Sequence, residues 1–284
     1  MTTYRLWIRK FARDRNGVAG LAILVILLIC ALLASVVAPY PPTEINPRER
    51  LQPPTWRHWF GTDNMGKDIL SRIIYGARLS LLIAGTTVLA AMTIGTLVGL
   101  LAGYYEGWLG MILMRLADVF VSLPRIVMAL VIVAALGPGI RNVILALTIT
   151  YWPFWSRIVY TNVISLKKSP FMEATRGLGA SAPRVILLHL LPNILPDLIT
   201  RTTISLGGTI LASAVLSYVG LGPQPPTADW GLDLSIAREY LPNAWWYALF
   251  PGLAILVAVM AFNMLGDALR DVLDPRLRTS RDVE

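Results

Sequence analysis

The sequence predicts an all-α membrane protein with six transmembrane helices. Three observations lead there. Hydrophobic residues make up 55% of the chain and mean hydropathy is +0.61, a balance foreign to soluble domains. Apolar runs recur that are long enough to cross the hydrocarbon core, which takes about 20 residues. The charges, 25 basic against 17 acidic for a net +8, sit mostly outside those runs. Bilayer topology accounts for them there, so the positive balance is not read as nucleic-acid binding. The single cysteine, Cys30, lies in an apolar run and leaves no intrachain disulfide. The first run is long and lacks a small-residue cleavage site, so no removable signal peptide is read.

Residues 1–17 carry Arg5, Arg9, Lys10, Arg13 and Arg15 against Asp14 alone. Beside the first apolar run they predict a cytoplasmic N-terminus. Span 1 covers about 18–38 and ends at Pro39, Pro41 and Pro42. A polar external loop follows to about Arg78. Span 2, about 79–103, places Gly85, Gly95 and Gly99 at near-helical spacing, with Ala84 and Ala91 nearby, for close packing. Tyr104, Tyr105 and Trp108 suit the interface, with Glu106 in the turn. Span 3, about 111–136, is broken at Pro124 and Arg125, and Arg115 is expected to pair with Asp118 three residues on.

Gly137-Pro138-Gly139 makes an external turn. Span 4, about 142–163, should kink at Pro153, between Trp152 and Trp155, with Arg157 toward its cytoplasmic end. Span 5, about 194–218, begins with Asp197 and Arg201, spaced to pair. Its small residues Gly207, Gly208, Ala212, Ser213 and Ala214 fit either helix packing or a substrate path. An acidic loop from Gly220 leads to span 6, about 245–266, and a charged tail. An even number of spans returns the C-terminus to the cytoplasm. The organisation expected is 1–78 (N-terminal segment, first span, external loop), 79–266 (five-helix core with a cytoplasmic loop, 165–193) and 267–284 (cytoplasmic tail).

The loop 165–193 is the polar interruption on which the chain is organised. Ser169 is placed to cap a helix and Pro170 to open it. Phe171, Ala174, Thr175 and Leu178 recur at helical spacing, while Glu173 and Arg176 point elsewhere. Gly177 and Gly179 end the helix, Pro183 restarts one, and Leu191-Pro192 interrupts it. Residues 165–185 carry four basic residues and one acid, which places them in the cytoplasm. Read from residues alone, this is an amphipathic helix, a turn and a second helix, and an ordinary connection between spans would look the same.

The pattern resembles the Glu-Ala-Ala loop of ABC importer permeases. Glu173 and Ala174 match it, Gly179 follows six positions after Glu173, and Leu191-Pro192 closes it. Thr175 replaces the second alanine, and His189 replaces an isoleucine. The resemblance implies a coupling helix seated in a groove of an ATPase subunit. It assigns Phe171, Glu173, Ala174, Arg176, Gly177, Gly179, Leu191 and Pro192 to transmitting motion.

Other stretches resemble the dipeptide/oligopeptide/nickel importer permeases. They are Phe60-Gly61-Thr62-Asp63 with Gly66-Lys67-Asp68 and Leu70-Ser71-Arg72, then Gln224-Pro225-Pro226-Thr227 with Asp229-Trp230-Gly231, and the tail Gly266–Leu277. Lys67 stands where arginine is usual. The likeness runs from about 21 to 277 and implies a type I ABC importer permease fold with both termini cytoplasmic. It implies a multi-pass protein of the bacterial inner membrane, working with a homologous second permease, two ATPase subunits and an external binding protein. Peptides are the implied cargo, with nickel or a metal chelate as the rival.

No chemistry constellation appears. Gly61–Asp68 comes one residue short of a phosphate-binding loop, but Asp68 stands where a hydroxyl should hold magnesium. His58 and His189 are expected on opposite sides, and no Cys/His cluster forms a metal site. The chain is therefore read as a non-enzyme with no catalytic residue, cofactor or metal of its own, ATP and Mg belonging to partner subunits. A secondary carrier, the alternative from another class, would place an ionisable group near the midplane of a span. The acids here lie at span ends.

Overall fold

The computed structural model describes residues 10–273. Among them the regular structure is helical, and the one extended pairing is an isolated bridge between Thr62 and Asp68. The helices are α1 (Arg15–Leu32), α2 (Ala34–Val37), α3 (Ile69–Tyr105), α4 (Gly107–Val121), α5 (Arg125–Leu136), α6 (Ile140–Lys167), α7 (Pro170–Gly177), α8 (Ala182–Tyr218), α9 (Trp230–Ala237) and α10 (Trp245–Leu273). Within α8, residues Val185–Leu190 form a π-helical segment.

Four helices, α1, α3, α8 and α10, are each long and apolar enough to cross a membrane. The pair α4–α5 qualifies only together, and it bends by 87° at its break. Pro124 explains the break, because proline restricts the residue before it and brings no amide to the ladder. The fourth expected span, α6, is 28 residues long but falls short on apolarity. It carries Arg141, Arg157 and Lys167, and it buries Val143, Leu147, Trp155, Val159 and Val163 against the rest of the chain. A helix sheathed by protein can be less apolar than one facing lipid.

α3 starts ten residues before the expected boundary at 79. The Asp68 carboxylate accepts from the Ser71 amide (2.8 Å) and fixes that start. At 37 residues it is about 55 Å long, well beyond a hydrocarbon core of about 30 Å. α3 packs on α6 through a glycine seam. A Cβ on Gly99 would stand 2.5 Å from the Ser156 carbonyl oxygen, and one on Gly95 would collide with Trp155. Gly85 meets nothing and plays no part in that seam. On α8, Gly207, Ala212, Ser213 and Ala214 are buried within the chain, and only Gly208 stays open.

Asp197 and Arg201 pair as their spacing predicts, at 2.8 Å. Asp118 does not pair with Arg115. Its partner is Arg157 on α6, at 2.7 Å, so the charge joins two helices instead of stabilising one.

Long-range contacts define two ends of the molecule. At one, the Gly139 amide donates to the Leu221 carbonyl (3.4 Å), and Arg72 reaches the loop before α9. At the other, Lys167 reaches the carbonyl of Tyr104 (2.8 Å), and α7 lies beside them.

Candidate functional site

The loop between α6 and α8 folds as the sequence predicts in outline and differs in its caps. The Ser169 carbonyl accepts the amides of Met172 (3.0 Å) and Glu173 (3.2 Å). Its hydroxyl turns back to donate to the Leu166 carbonyl (2.7 Å), tying α7 to the end of α6. Glu173 stands in the first turn of α7, where the helix dipole favours an acid. At the other end the Ala180 amide reaches the Thr175 carbonyl (3.4 Å) with Gly179 at φ +78°. This is a Schellman closure, and its left-handed residue is the position where glycine is required. Gly177 has no such φ, and a Cβ there would meet nothing.

Among the described side chains of α7, one is buried. Met172 is 1% exposed and joins a cluster with Trp155, Val163, Val185, Leu190 and Ile194. Phe171, Glu173, Ala174 and Leu178 are exposed, Leu178 to 89%. The side chain of Arg176 lies outside the described residues. A short helix that buries Met172 and leaves Phe171 and the following Leu178 to solvent presents an exposed apolar face.

Behind α7, the Phe171 ring meets the His189 ring edge-on at 5.6 Å. The histidine that departs from the expected isoleucine thus touches the helix the loop presents. Leu191 is half-buried and Pro192 exposed, just after the π-helical segment. Pro192 has no amide to offer the Leu188 carbonyl and crowds it, and the wider turn before it absorbs that lost bond.

At the opposite end, the stretches singled out by resemblance converge. Arg72, 3% exposed, holds Asp233 through its Nε (3.0 and 3.2 Å) and Nη2, with further bonds to the carbonyls of Pro42 and Thr227 (3.2 Å each). Asp63 lies 4.0 Å away. Burial pushes the Asp233 carboxyl up, to about 6, and the Arg72 guanidinium opposes that rise. Burial also raises Asp229, whose carboxylate caps α9 through the Leu232 amide (2.8 Å).

The phosphate-loop lookalike is part of this platform. The Asp63 carboxylate takes the amides of Met65 (2.7 Å) and Lys67 (2.8 Å). The backbone donors a phosphate would need are therefore already used. Asp68 caps α3 and also meets His58 Nδ1 (2.9 Å), whose Nε2 faces Glu49 (3.3 Å). The sequence supplied these letters as a family hallmark but not the partner of Arg72, which lies 161 residues away on α9. Among the described residues no group of three or more His, Cys, Asp or Glu side chains is placed to hold a metal ion.

Residues 95–279 match the family described as binding-protein-dependent transport system inner membrane component. Residues 2–54 match the N-terminal transmembrane domain of oligopeptide transport permease C. A dipeptide transport system permease protein of Alkalihalophilus pseudofirmus is 39% identical over 98% of this chain and 92% of its own. A di/tripeptide transport system permease protein of Pseudomonas aeruginosa is 41% identical over 96% of this chain and 92% of its own. A glutathione transport system permease protein of Pectobacterium atrosepticum is 40% identical over 98% and 93%. In fold, the chain is similar to the inward-facing MetNI methionine ABC transporter, with TM-score 0.59 and 22% identity over 72% of this chain and 97% of that one. With its family matched over most of its length and its helices arranged as in a type I ABC permease, the chain belongs to the binding-protein-dependent transport system inner membrane components, the multi-pass permease subunits of ABC import systems.

Proposed function

We propose that this chain is the transmembrane subunit of an ATP-driven importer of di- or oligopeptides, moved by ATPase partners through α7. The observation that carries the reading is the exposed face formed by Phe171, Glu173 and Ala174 of α7 with the following Leu178, on a helix held from behind by Met172. Such a helix can shift as a unit and take its buried anchor with it. ATP binding would then stabilise one arrangement of the spans over another, as alternating access requires. The assembly would comprise a homologous second permease, two ATPase subunits carrying ATP and Mg, and an external binding protein, in the bacterial inner membrane.

Six crossings with both termini in the cytoplasm fit the two ends of the molecule. α3 and α6 each run from the Arg72 and Leu221 end to the Lys167 end. The bent pair α4–α5 returns from Glu106 to Gly137, so it too traverses the body. Peptide cargo is supported by the names of relatives about 40% identical, which specify dipeptides, di/tripeptides and glutathione.

The first test is capture of the tagged chain from gently solubilised membranes with identification of its partners. Recovery of ATPase subunits and a second permease is expected; recovery of the chain alone, transporting without ATP, would restore the secondary carrier. The co-purified binding protein is then titrated with dipeptides, glutathione and nickel salts, and tight binding of nickel alone would displace the peptide reading. In the assembled complex, Glu173→Lys and Gly179→Leu should uncouple ATP hydrolysis from uptake. The second also forces a left-handed leucine at a cost of about 1–2 kcal/mol. Normal uptake per ATP in both would count against α7 as the coupling helix.

A further inference from the structure

Lys167 is the last residue of α6, and two residues separate it from the start of α7. Its ammonium makes three bonds, all to the far end of α3. It donates to the carbonyls of Gly103 (3.2 Å) and Tyr104 (2.8 Å) and to the Glu106 carboxylate (2.6 Å). It also stands 5.7 Å from the centroid of the Tyr104 ring. The last carbonyls of a helix have no partner in the helix and carry its negative pole, so a cation with three donors suits them. The Lys167 side chain is only 12% exposed, so its ammonium is largely buried against the end of α3, while the Glu106 carboxylate keeps contact with solvent.

A second observation lies on the backbone. Glu106 sits at φ +49° and ψ −146°, a conformation that side chains rarely adopt outside glycine. Such a residue persists where its surroundings over-determine it. Here its amide is bonded to the Ala102 carbonyl (3.1 Å), its carbonyl receives the Gly110 amide (2.9 Å), and its carboxylate is held by Lys167. The strained turn between α3 and α4 is therefore fastened to the residue that leads into α7.

We propose that Lys167 is a positioning residue that clamps the lead-in of α7 to the α3–α4 turn, so that a displacement of α7 is carried into α3 as one body. The inference rests on α7 being the coupling helix. α3 is the right recipient. It is 37 residues long, it is seamed to α6 through Gly95 and Gly99, and its opposite end holds the Arg72 cluster. Motion received at Lys167 thus has a rigid path to the other end of the molecule. Without the clamp, α7 keeps its Met172 anchor, the Phe171–His189 ring contact and the Ser169 turn.

The test uses the whole complex with its ATPase partners, in a background where Cys30→Ser removes the native thiol. Spin labels are placed at Leu178→Cys and Trp108→Cys, both strongly exposed, and their separation is measured without nucleotide and with ATP and vanadate. With Lys167 present the separation should be narrow and the same in both states, because loop and turn move together. Lys167→Met should make it nucleotide-dependent, by about 2 Å or more, the scale of helix shifts in switching proteins. Lys167→Arg should restore the constant separation, which a purely structural role would not require. Should Lys167→Met fail to assemble, Glu106→Gln breaks the same pair with little change of shape and should broaden the separation.

A constant, narrow separation in an assembled variant lacking either charge would overturn the clamp. Failure of the underlying reading looks different. The label at position 178 alone would then show no change in mobility when the ATPase subunits bind or when nucleotide is added to the unmutated complex.

Discussion

A buried guanidinium fixes its surroundings more firmly than any apolar residue of its size, because leaving its partners alone is costly. Arg72 has a carboxylate and two carbonyls around it and stands 3% exposed. Removing one partner of such a pair typically costs about 3–5 kcal/mol. Arg72→Met should therefore lower the melting temperature of the detergent-solubilised protein, and the deficit should depend on pH. Asp233 has its carboxyl raised to about 6 in the folded chain, so the stability linked to its proton is complete below the ordinary carboxylate range and is lost as pH rises through about 6. Without the guanidinium that opposes burial, the carboxyl rises further and the variant goes on losing stability above pH 6, where the wild type levels off. Melting curves at pH 5 and pH 8 should show the larger deficit at pH 8, and a deficit equal at both would mean that Asp233 is not the partner that matters. At this scale the sequence was legible as letters. Asp63, Arg72 and Asp229 all stood in stretches singled out by resemblance, yet their joint role depended on segments some 160 residues apart meeting at one end. Asp118 went to Arg157 and not to Arg115 for the same reason. A helical spacing rule sees neighbours on one helix and is blind to a cation on the next.

Among elements, the glycines of α3 divide into those that set a helix distance and those that do not. The Ser156 carbonyl would lie 2.5 Å from a Cβ on Gly99, whereas Gly85 faces open space. Gly99→Leu should force α3 and α6 apart at a cost of about 1–3 kcal/mol, the usual range for overpacking a filled interface. Gly85→Leu should leave thermal stability near that of the wild type. Equal losses in both would mean that the seam contributes nothing of its own, since leucine is the better helix former at either position. Periodicity alone gave both glycines the same standing, because spacing does not say which face meets a helix and which meets lipid. The end of α7 was easier to read. A helix that closes with a left-handed residue needs glycine, and Gly179 was placed accordingly. The start of α3 was missed because an apolar window begins where charge ends, while the helix begins where Asp68 caps it, among Ser71, Arg72 and Arg78. The π-helical segment at Val185–Leu190 had only Pro192 as a signal, and a proline announces an interruption without its form.

For the whole molecule, the decisive matter is how many times the chain crosses, since composition accounts for four helices and a bent pair. α6 is less apolar than the other spans for the same reason that it matters: its flanks lie against protein, with Trp155, Val159 and Val163 fully buried. The internal contacts order the segments without reference to hydropathy. Residues 40–68, the turn at 137–139 and the loop at 220–229 gather at one end, and Glu106, Lys167 and α7 at the other. If the two ends lie on the two sides of a membrane, single thiols report it directly. In a background carrying Cys30→Ser, Trp56→Cys and Gln224→Cys should react with a membrane-impermeant maleimide on intact spheroplasts, whereas Trp108→Cys and Leu178→Cys should react only after permeabilisation. Pro138→Cys is the informative position, since it lies between the bent pair α4–α5 and the polar helix α6. Labelling from outside requires that both the 87° pair α4–α5 and the polar helix α6 cross the bilayer, which gives six passes and returns both termini to the side of α7. Protection of Pro138→Cys in intact spheroplasts, with Trp56→Cys still labelled, would place the α5–α6 turn within or behind the membrane and reduce the crossings to four.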